Sequence, residues 1–470
     1  MPVLPDTYHN LFVGVDVSVP LLDGSQCTYI NLDNAASTPS LVAVQRAVND
    51  FMLYYSSVHR GTGFKSQLST HFYEEARQTV LGFLGADPAT HVCVFGKNTT
   101  EAVNKLARRM PITPQRNVVL VSMMEHHSND LPWRGVADVV HIRVLPDGSL
   151  DEADFDLKLA QYASRLALVS ITGASNVTGS INPIHRLAEK VHLAGAQIAV
   201  DCAQLAPHRA INMLPLVDPA HLDYVMLSAH KLYAPFGTGA LVGRRDTFEH
   251  GDPDLRGGGE VEIVTVDQVV WSEPPERDEA GSPNTVGAIA LAAAICQLEA
   301  IGMEKVAAYK ADLTEYALRK LKGLSGITIY GNDQPALAST RLGVIPFNLD
   351  GWSHFLVAAI LGHEFGIGAR NGCFCAHPYI LSLLGVSEEQ ARQVRQEIID
   401  KDRREVPGML RISFGLYTTR DEVDALVDAL KKISRGDFKG KYQQDQASGE
   451  FIPAGWQVDY DQYFRLRRAE

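Results

Sequence analysis

Residues 222–239 read LDYVMLSAHKLYAPFGTG, and the reading of this stretch decides the fold. The apolar run 224–227 predicts a buried strand. It stops at Ser228, Ala229, His230 and Lys231, with Pro235, Gly237 and Gly239 close behind. A lysine is thereby held on a loop at the end of a core strand. Poor solvation there disfavours the ammonium form, so the pKa falls and a neutral amine able to condense with an aldehyde becomes available.

The chain around it has 470 residues, 46% of them hydrophobic, enough for a large core and more than one domain. A formal charge of -12 argues against nucleic acid or an anionic membrane surface as the main partner. The start, MPVLPDTYHN, lacks the basic and then apolar regions of a signal peptide, so a cytoplasmic protein is expected. Residues 285–303 are the most apolar long segment, but Gln297 and Glu299 interrupt it and it is rich in alanine. That suits a helix inside a globular core. The six cysteines form no CxxC pair and are expected to be free thiols.

Upstream of Lys231, predicted strands and helices alternate. Residues 39–55 and 71–84 have helical spacing, separated by the loop VHRGTGFKS, whose two glycines give only a weak phosphate signal. The strand 91–95 leads into GKNTTE and a helix over 102–110. Thr99 or Thr100 can cap that helix, whose exposed N–H groups form an anion site suited to phosphate. The strand 117–123 ends in MEHHSN. Adjacent side chains diverge on an extended chain, so one of His126 and His127 is expected to face a ligand and the pair is not expected to share a metal. The strand 166–172 precedes the polar turn GASNVTG, and a helix over 183–193 precedes the strand 197–200, which ends at Asp201. This alternation is the signature of a mainly parallel sheet with ligands at its carboxyl edge, where His126, Asn176, Asp201 and Lys231 should gather.

Beyond Lys231, a hairpin is expected within 257–278 and a long helix to Gly302. A second unit follows, with a helix over 304–324, strands at 327–330 and 342–348, a helix over 352–365 and a strand over 408–416 carrying Arg411. Capping-box spacing precedes a charged helix at 387–390 and the last helix at 419–422. The expected organisation is an N-terminal arm, 1–38, irregular to about residue 28 and packing with the small domain; a large domain, 39–303; a small C-terminal domain, 304–436; and an extension, 437–470, to which the sequence assigns no role.

A buried lysine, a strand-end aspartate and a helix N-terminus suited to phosphate are the parts that pyridoxal 5'-phosphate (PLP) requires. Lys231 would hold its aldehyde, and Asp201 would pair with the protonated pyridine nitrogen and strengthen the ring as an electron sink. His126 can stack on the ring, while Thr100, Ser228 and His230 would supply phosphate donors beside Thr99.

The motifs LDNAAST, SVHRG, NTTEAVN, MEHHSNDLPW, SNVTG, VDCAQ, SAHKLYAPFGTG, EAGSPNT and RNGCFCA, in this order, resemble those of the class V aminotransferase superfamily and, within it, cysteine desulfurases of the group II type. The resemblance runs from about residue 32 to 376 and more weakly to about 433. It implies PLP fold type I, in which a large domain built on a mainly parallel seven-stranded sheet carries a smaller α/β domain. It implies a homodimer with the active site at the interface and Ser282 reaching the partner subunit's phosphate, and it places Asn176 and Gln204 against the ring.

In the family the arginine matching Arg370, five residues before Cys375, holds the substrate carboxylate, as a guanidinium fork can. Arg411, Asn176, Ala35 and His59 complete the expected substrate contacts. A thiolate at Cys375, favoured by Arg370 and His377, would attack the sulfur of bound L-cysteine, leaving alanine and a persulfide for a sulfur-acceptor protein. Lys231, Cys375 and His126 are the expected catalytic residues. The short 370–375 spacing and the hairpin resemble group II. The GCFC sequence is nearer the amino-terminal domain of molybdenum cofactor sulfurases; its Cys373 is a spare or resolving thiol, although a disulfide two residues apart would be strained. Residues 388–404 look like an insertion, and the tail after 435 is unmatched. Three further readings stand beside this one: another PLP reaction, namely a C–S or C–Se lyase, epimerase or aminotransferase; a PLP scaffold that only binds, which nothing in the sequence favours because all the expected catalytic residue types are present; and a metal-binding or interaction module using Cys373, Cys375 and His377. Their C-x-C-x-H spacing offers zinc three ligands at most, so no metal is expected.

Overall fold

The computed structural model describes residues 6–466. Its central sheet has seven strands in the spatial order His91–Gly96, Gly239–Arg244, Tyr224–Ser228, Gln197–Asp201, Leu166–Thr172, Val118–Ser122, Asp138–Ile142. From Tyr224–Ser228 to Asp138–Ile142 every neighbouring pair is parallel. Gly239–Arg244 alone is antiparallel to both its neighbours. The inner strands, VVLVS, LALVSIT and YVMLS, are apolar on both faces, as strands covered by helices on each side must be. The expected α/β class and mainly parallel seven-stranded sheet are present.

One glycine fixes how the return strand meets the sheet. A Cβ on Gly239 would lie 2.6 Å from the Asn98 Cα and from the Leu227 carbonyl oxygen, so only glycine lets the backbone pass there. That close approach brings the loop after Lys231 against the start of the Thr99–Arg109 helix.

The second sheet is antiparallel, in the order Ile327–Ile329, Val344–Leu349, Met409–Ser413, Arg370–Gly372. Helices Met303–Lys322 and His354–Phe365 pack on it, Arg420–Ser434 packs on those two helices, and the sheet's apolar side chains join the cluster under the large sheet. At Gly302 the chain turns by 77° between Thr285–Ile301 and Met303–Lys322. Among the described residues no single helix is long and apolar enough to cross a membrane.

The structure alters several boundaries. The helix expected over 71–84 is Phe64–Phe83, because three residues assigned to the preceding loop continue it, and the helix expected from 102 begins at Thr99. Neither Thr99 nor Thr100 caps it; Asn98 does, its side chain accepting the Glu101 N–H at 3.1 Å. The arm contains a helical turn, Asp6–His9, and the antiparallel pair Ser18–Pro20 and Gln26–Thr28; its first five residues lie outside the described residues. It reaches the second sheet: Ile30–Asn31 pairs in parallel with Ile367–Gly368, and Ser413 N–H donates to the Leu32 carbonyl. The tail folds into the hairpin Tyr442–Gln444 and Phe451–Pro453; residues 467–470 of the extension lie outside the described residues. Both capping boxes, at Ser387 and Thr419, are formed.

Candidate active site

The carboxyl ends of the parallel strands converge on one pocket. Ala35, Thr99, Thr100, His126, Asn176, Asp201, Gln204, Ser228, His230, Lys231, Arg370, Cys375 and Arg411 all line it, together with Asn98, Ser128 and Phe374. His59 and Ser282 do not; they line a separate cavity with Tyr55, Gly258, Gly259 and Pro283.

Lys231 ends a single helical turn, Ala229–Lys231, directly after the Tyr224–Ser228 strand. Burial pulls its pKa down to about 8, against the opposing pull of Asp201. Its amine has no hydrogen-bond partner among the described residues and is therefore available to a ligand. Asp201 ends the neighbouring strand, and its Oδ1 accepts the Ala203 N–H at 2.9 Å. Burial pushes its pKa up, and only that N–H and Lys231 resist. A buried carboxylate with so little protein support is suited to a cationic N–H donor.

His126 faces the pocket while His127 turns away. The Ser128 N–H donates to His126 Nδ1 at 3.1 Å, so the ring proton resides on Nε2. Burial and then Lys231 hold this imidazole neutral, with its pKa down to about 3. His127 stacks on His377 with ring centroids 5.0 Å apart, its Nε2 3.1 Å from His377 Nδ1.

At the helix N-terminus the Thr99 N–H is taken by Ser228 Oγ at 2.9 Å, and the Ser228 hydroxyl donates to Thr99 Oγ1 at 2.8 Å. Those two groups support each other. Thr100 stands in the open, its hydroxyl 2.7 Å from that of Ser128, and offers an anion donors from both side chain and backbone.

The other wall comes from the small sheet. Arg411 is buried; it donates to the Asn176 carbonyl and to Asp33 Oδ1, each at 2.9 Å, and lies over the Phe374 ring at 4.6 Å. Its Nε is buried without a partner among the described residues. Arg370 is exposed, 3.8 Å from Asp33 Oδ2. Cys375 is exposed on the loop between them. Phe374 and Cys375 both adopt the left-handed region, φ 49° and 54°, an arrangement that costs about 1–3 kcal/mol for each such residue. Hydrogen bonds across the pocket hold them: Asn176 Nδ2 donates to the Phe374 carbonyl at 2.7 Å and the His127 N–H to the Cys375 carbonyl at 2.8 Å. Cys373 is buried, its thiol pointing to the Pro407 carbonyl at 3.3 Å and its pKa pushed up to about 11 by burial. Cys373, Cys375 and His377 therefore do not converge as a metal set.

A class V aminotransferase model matches residues 30–426, most of the chain. The chain belongs to the class V aminotransferase family. Among the proteins this class V chain is similar to, a cysteine desulfurase of Dickeya dadantii is 36% identical over 86% of this chain and 92% of its own length. A probable cysteine desulfurase of Halobacterium salinarum is 35% identical, over 85% and 90%. The solved apo structure of the cysteine desulfurase from Thermococcus onnurineus superposes with a TM-score of 0.75 at 32% identity, covering 87% of this chain and 95% of that one. The Escherichia coli cysteine desulfurase CsdA gives a TM-score of 0.74 at 29% identity, covering 93% and 100%.

Several residues of the site are not foreseen from the sequence. Asp33 sits between the two arginines, 378 positions from Arg411; LDN reads as a polar turn until the fold brings the small sheet to it. Glu125, beside the two histidines, is fully buried beneath the pocket and accepts from Ser122, Asn129 and the Thr172 N–H. Burial still pushes its pKa up to about 8. A carboxylate between a strand end and HHSN is the one signal that points to it.

Proposed function

We propose that the pocket holds PLP and that this class V enzyme is a cysteine desulfurase, converting L-cysteine to L-alanine while Cys375 takes the sulfur. The observation that carries the reading is the meeting of an exposed thiol with Lys231, Asp201 and Arg411 in one pocket. The residues fit the cofactor: Lys231 has an amine without a protein partner, the scantily supported Asp201 carboxylate suits a pyridinium N–H, and Thr100 and Ser128 present hydroxyls where a phosphate would lie. When bound, PLP supplies the electron sink that lets bonds at the substrate's α-carbon break.

The chain's own groups do the rest. Arg411, with its unpartnered Nε, and Arg370 bind the substrate carboxylate in competition with Asp33. Lys231 carries protons at Nζ, which is suited to that task by a pKa near 8. His126 holds a proton at Nε2 and remains neutral, so it does not repel the cationic lysine. The Cys375 sulfur forms a bond to the substrate sulfur as the carbon–sulfur bond breaks, and the carbon left behind takes a proton; enzyme thiol plus cysteine gives enzyme persulfide plus alanine.

Purified holoprotein given L-cysteine is expected to release alanine, and sulfide when a reductant is present. Cys375→Ala should lose this activity and keep the cofactor's visible absorbance; equal activity in the variant overturns the proposal. We extend the same reading to a pair of chains, with Ser282 and His59 of the separate cavity serving a partner's site. Elution at the mass of a single chain removes that extension alone.

A further inference from the structure

At the amino edge of the large sheet, opposite the pocket, three side chains meet that the desulfurase reading does not use. His192 lies in the last turn of the Ile184–Leu193 helix, and His221 and Asp223 lie in the turn that enters the Tyr224–Ser228 strand. Their ligand atoms all lie within 4.8 Å of one another. His192 Nε2 is 2.9 Å from Asp223 Oδ2, His221 Nε2 is 3.3 Å from Oδ1, and the rings stack with centroids 3.9 Å apart. The Asp223 side chain is wholly buried, while the His192 ring retains an exposed edge.

Hydrogen bonding fixes the tautomers. His192 Nδ1 is 2.7 Å from the Pro219 carbonyl oxygen and His221 Nδ1 is 2.6 Å from that of Asp218. A carbonyl can only accept, so each Nδ1 carries a proton and each neutral ring directs the lone pair of Nε2 at the carboxylate. Protons can satisfy both contacts only if two imidazolium rings stack face to face with Arg244, itself 3.3 Å from Oδ1, as a third cation on one carboxylate. A single neutral ring would leave a lone pair against an anion.

We propose that His192, His221 and Asp223 form a binding site for a divalent transition-metal ion of the zinc type. Two neutral imidazoles and one carboxylate oxygen are a familiar donor set for such an ion, at about 2.0–2.2 Å from each. The separations of 2.9 and 3.3 Å keep all three groups within reach of one ion once the two stacked rings splay so that their lone pairs meet at it. An Nδ1–H held by a backbone carbonyl is the outer-shell arrangement that orients a metal-binding histidine. The carboxylate is fixed in turn: Oδ2 accepts the Ile198 N–H at 2.8 Å. Arg244 also donates to Asp223 Oδ1 at 3.3 Å, but its two-pronged pair with Asp246 offsets its charge and lessens its repulsion of the ion. His91 shares this edge, paired across strands with Arg244, and its Nε2 is buried without a partner among the described residues. Water completes the coordination on the exposed side of His192. The ion clamps the end of the helix to the entrance of the lysine-bearing strand and takes no part in the chemistry at the other edge.

The test is calorimetric titration of chelator-treated holoprotein with Zn2+ at neutral pH. The parent should bind about one equivalent per chain and melt at a higher temperature with it. His192→Ala, at the exposed edge where folding is least at risk, should bind more than about tenfold more weakly, show no zinc-dependent rise in melting temperature, and retain desulfurase activity. Cys375→Ser should still bind zinc, which separates this site from the thiol and the His127–His377 pair. The proposal is overturned if the parent binds no zinc, if His192→Ala binds as tightly as the parent, or if binding is lost only with Cys375.

Discussion

Lys231 gathers the residue-scale physics into one measurable property. Its low pKa comes first from burial and is only partly offset by Asp201. The nucleophile toward an aldehyde is the neutral amine, whose fraction rises with pH through about 8, where a solvated lysine would still be almost wholly charged. Apoprotein stripped of cofactor should therefore take up PLP, followed by visible absorbance, at a rate that climbs between pH 7 and 8 and levels off above about 9. A rate still climbing steeply toward the ordinary lysine value would show that the amine is solvated. At this scale the sequence is legible wherever a residue's role depends on its own strand end: Lys231 and Asp201 sit where a buried run stops. It is illegible where the role depends on a distant partner. Asp33 acquires meaning only from Arg411, and Thr99 loses the cap to Asn98 because the Ser228 hydroxyl claims it.

Among the elements, two helices start with the same device and differ in what it supports. Thr419 caps Arg420–Ser434, which buries Val423, Leu426, Val427, Leu430 and Ile433 and packs on the helices Met303–Lys322 and His354–Phe365. Ser387 caps Glu388–Ile399, which buries nothing. Thr419→Ala should lower global stability by about 1 kcal/mol in a denaturant titration. Ser387→Ala should shift it by less than about 0.5 kcal/mol and be seen instead as faster amide exchange confined to that helix. Equal effects would mean that the charged helix is part of the cooperative fold. Both caps are visible in the sequence because a capping box is local. The Phe64 start of its helix is not, because FKS continues a helix whose apolar spacing is clear only from His71 onward.

On the scale of the whole molecule, the arm is tied to the small sheet through Ser413, and the tail is fastened to the His354–Phe365 helix. The tail's contribution was unreadable because it depends on one distant carboxylate: Glu364 accepts the N–H groups of Lys439 and Gly440 and the Tyr442 hydroxyl, at 2.8–2.9 Å. Phe438 packs edge-on against Trp352, and Trp456 against His363. Removing residues 437–470 should lower stability by about 2–3 kcal/mol, read as a shift in denaturant midpoint, since hydrogen bonds to a charged group are worth about 1.5–3 kcal/mol each before solvent screening. An unchanged midpoint would make the extension a passive appendage. The fastening of Phe374 and Cys375 to the wall opposite them has a different consequence, for delivery. With the backbone on either side of the thiol tied down, a sulfur atom carried there under the proposed reaction would travel no farther than rotation about the Cα–Cβ and Cβ–Sγ bonds takes it. Under the proposed reaction, an acceptor would have to bring a slender, protruding reactive tip to the rim, because the described residues on either side of the thiol are tied to the opposite wall.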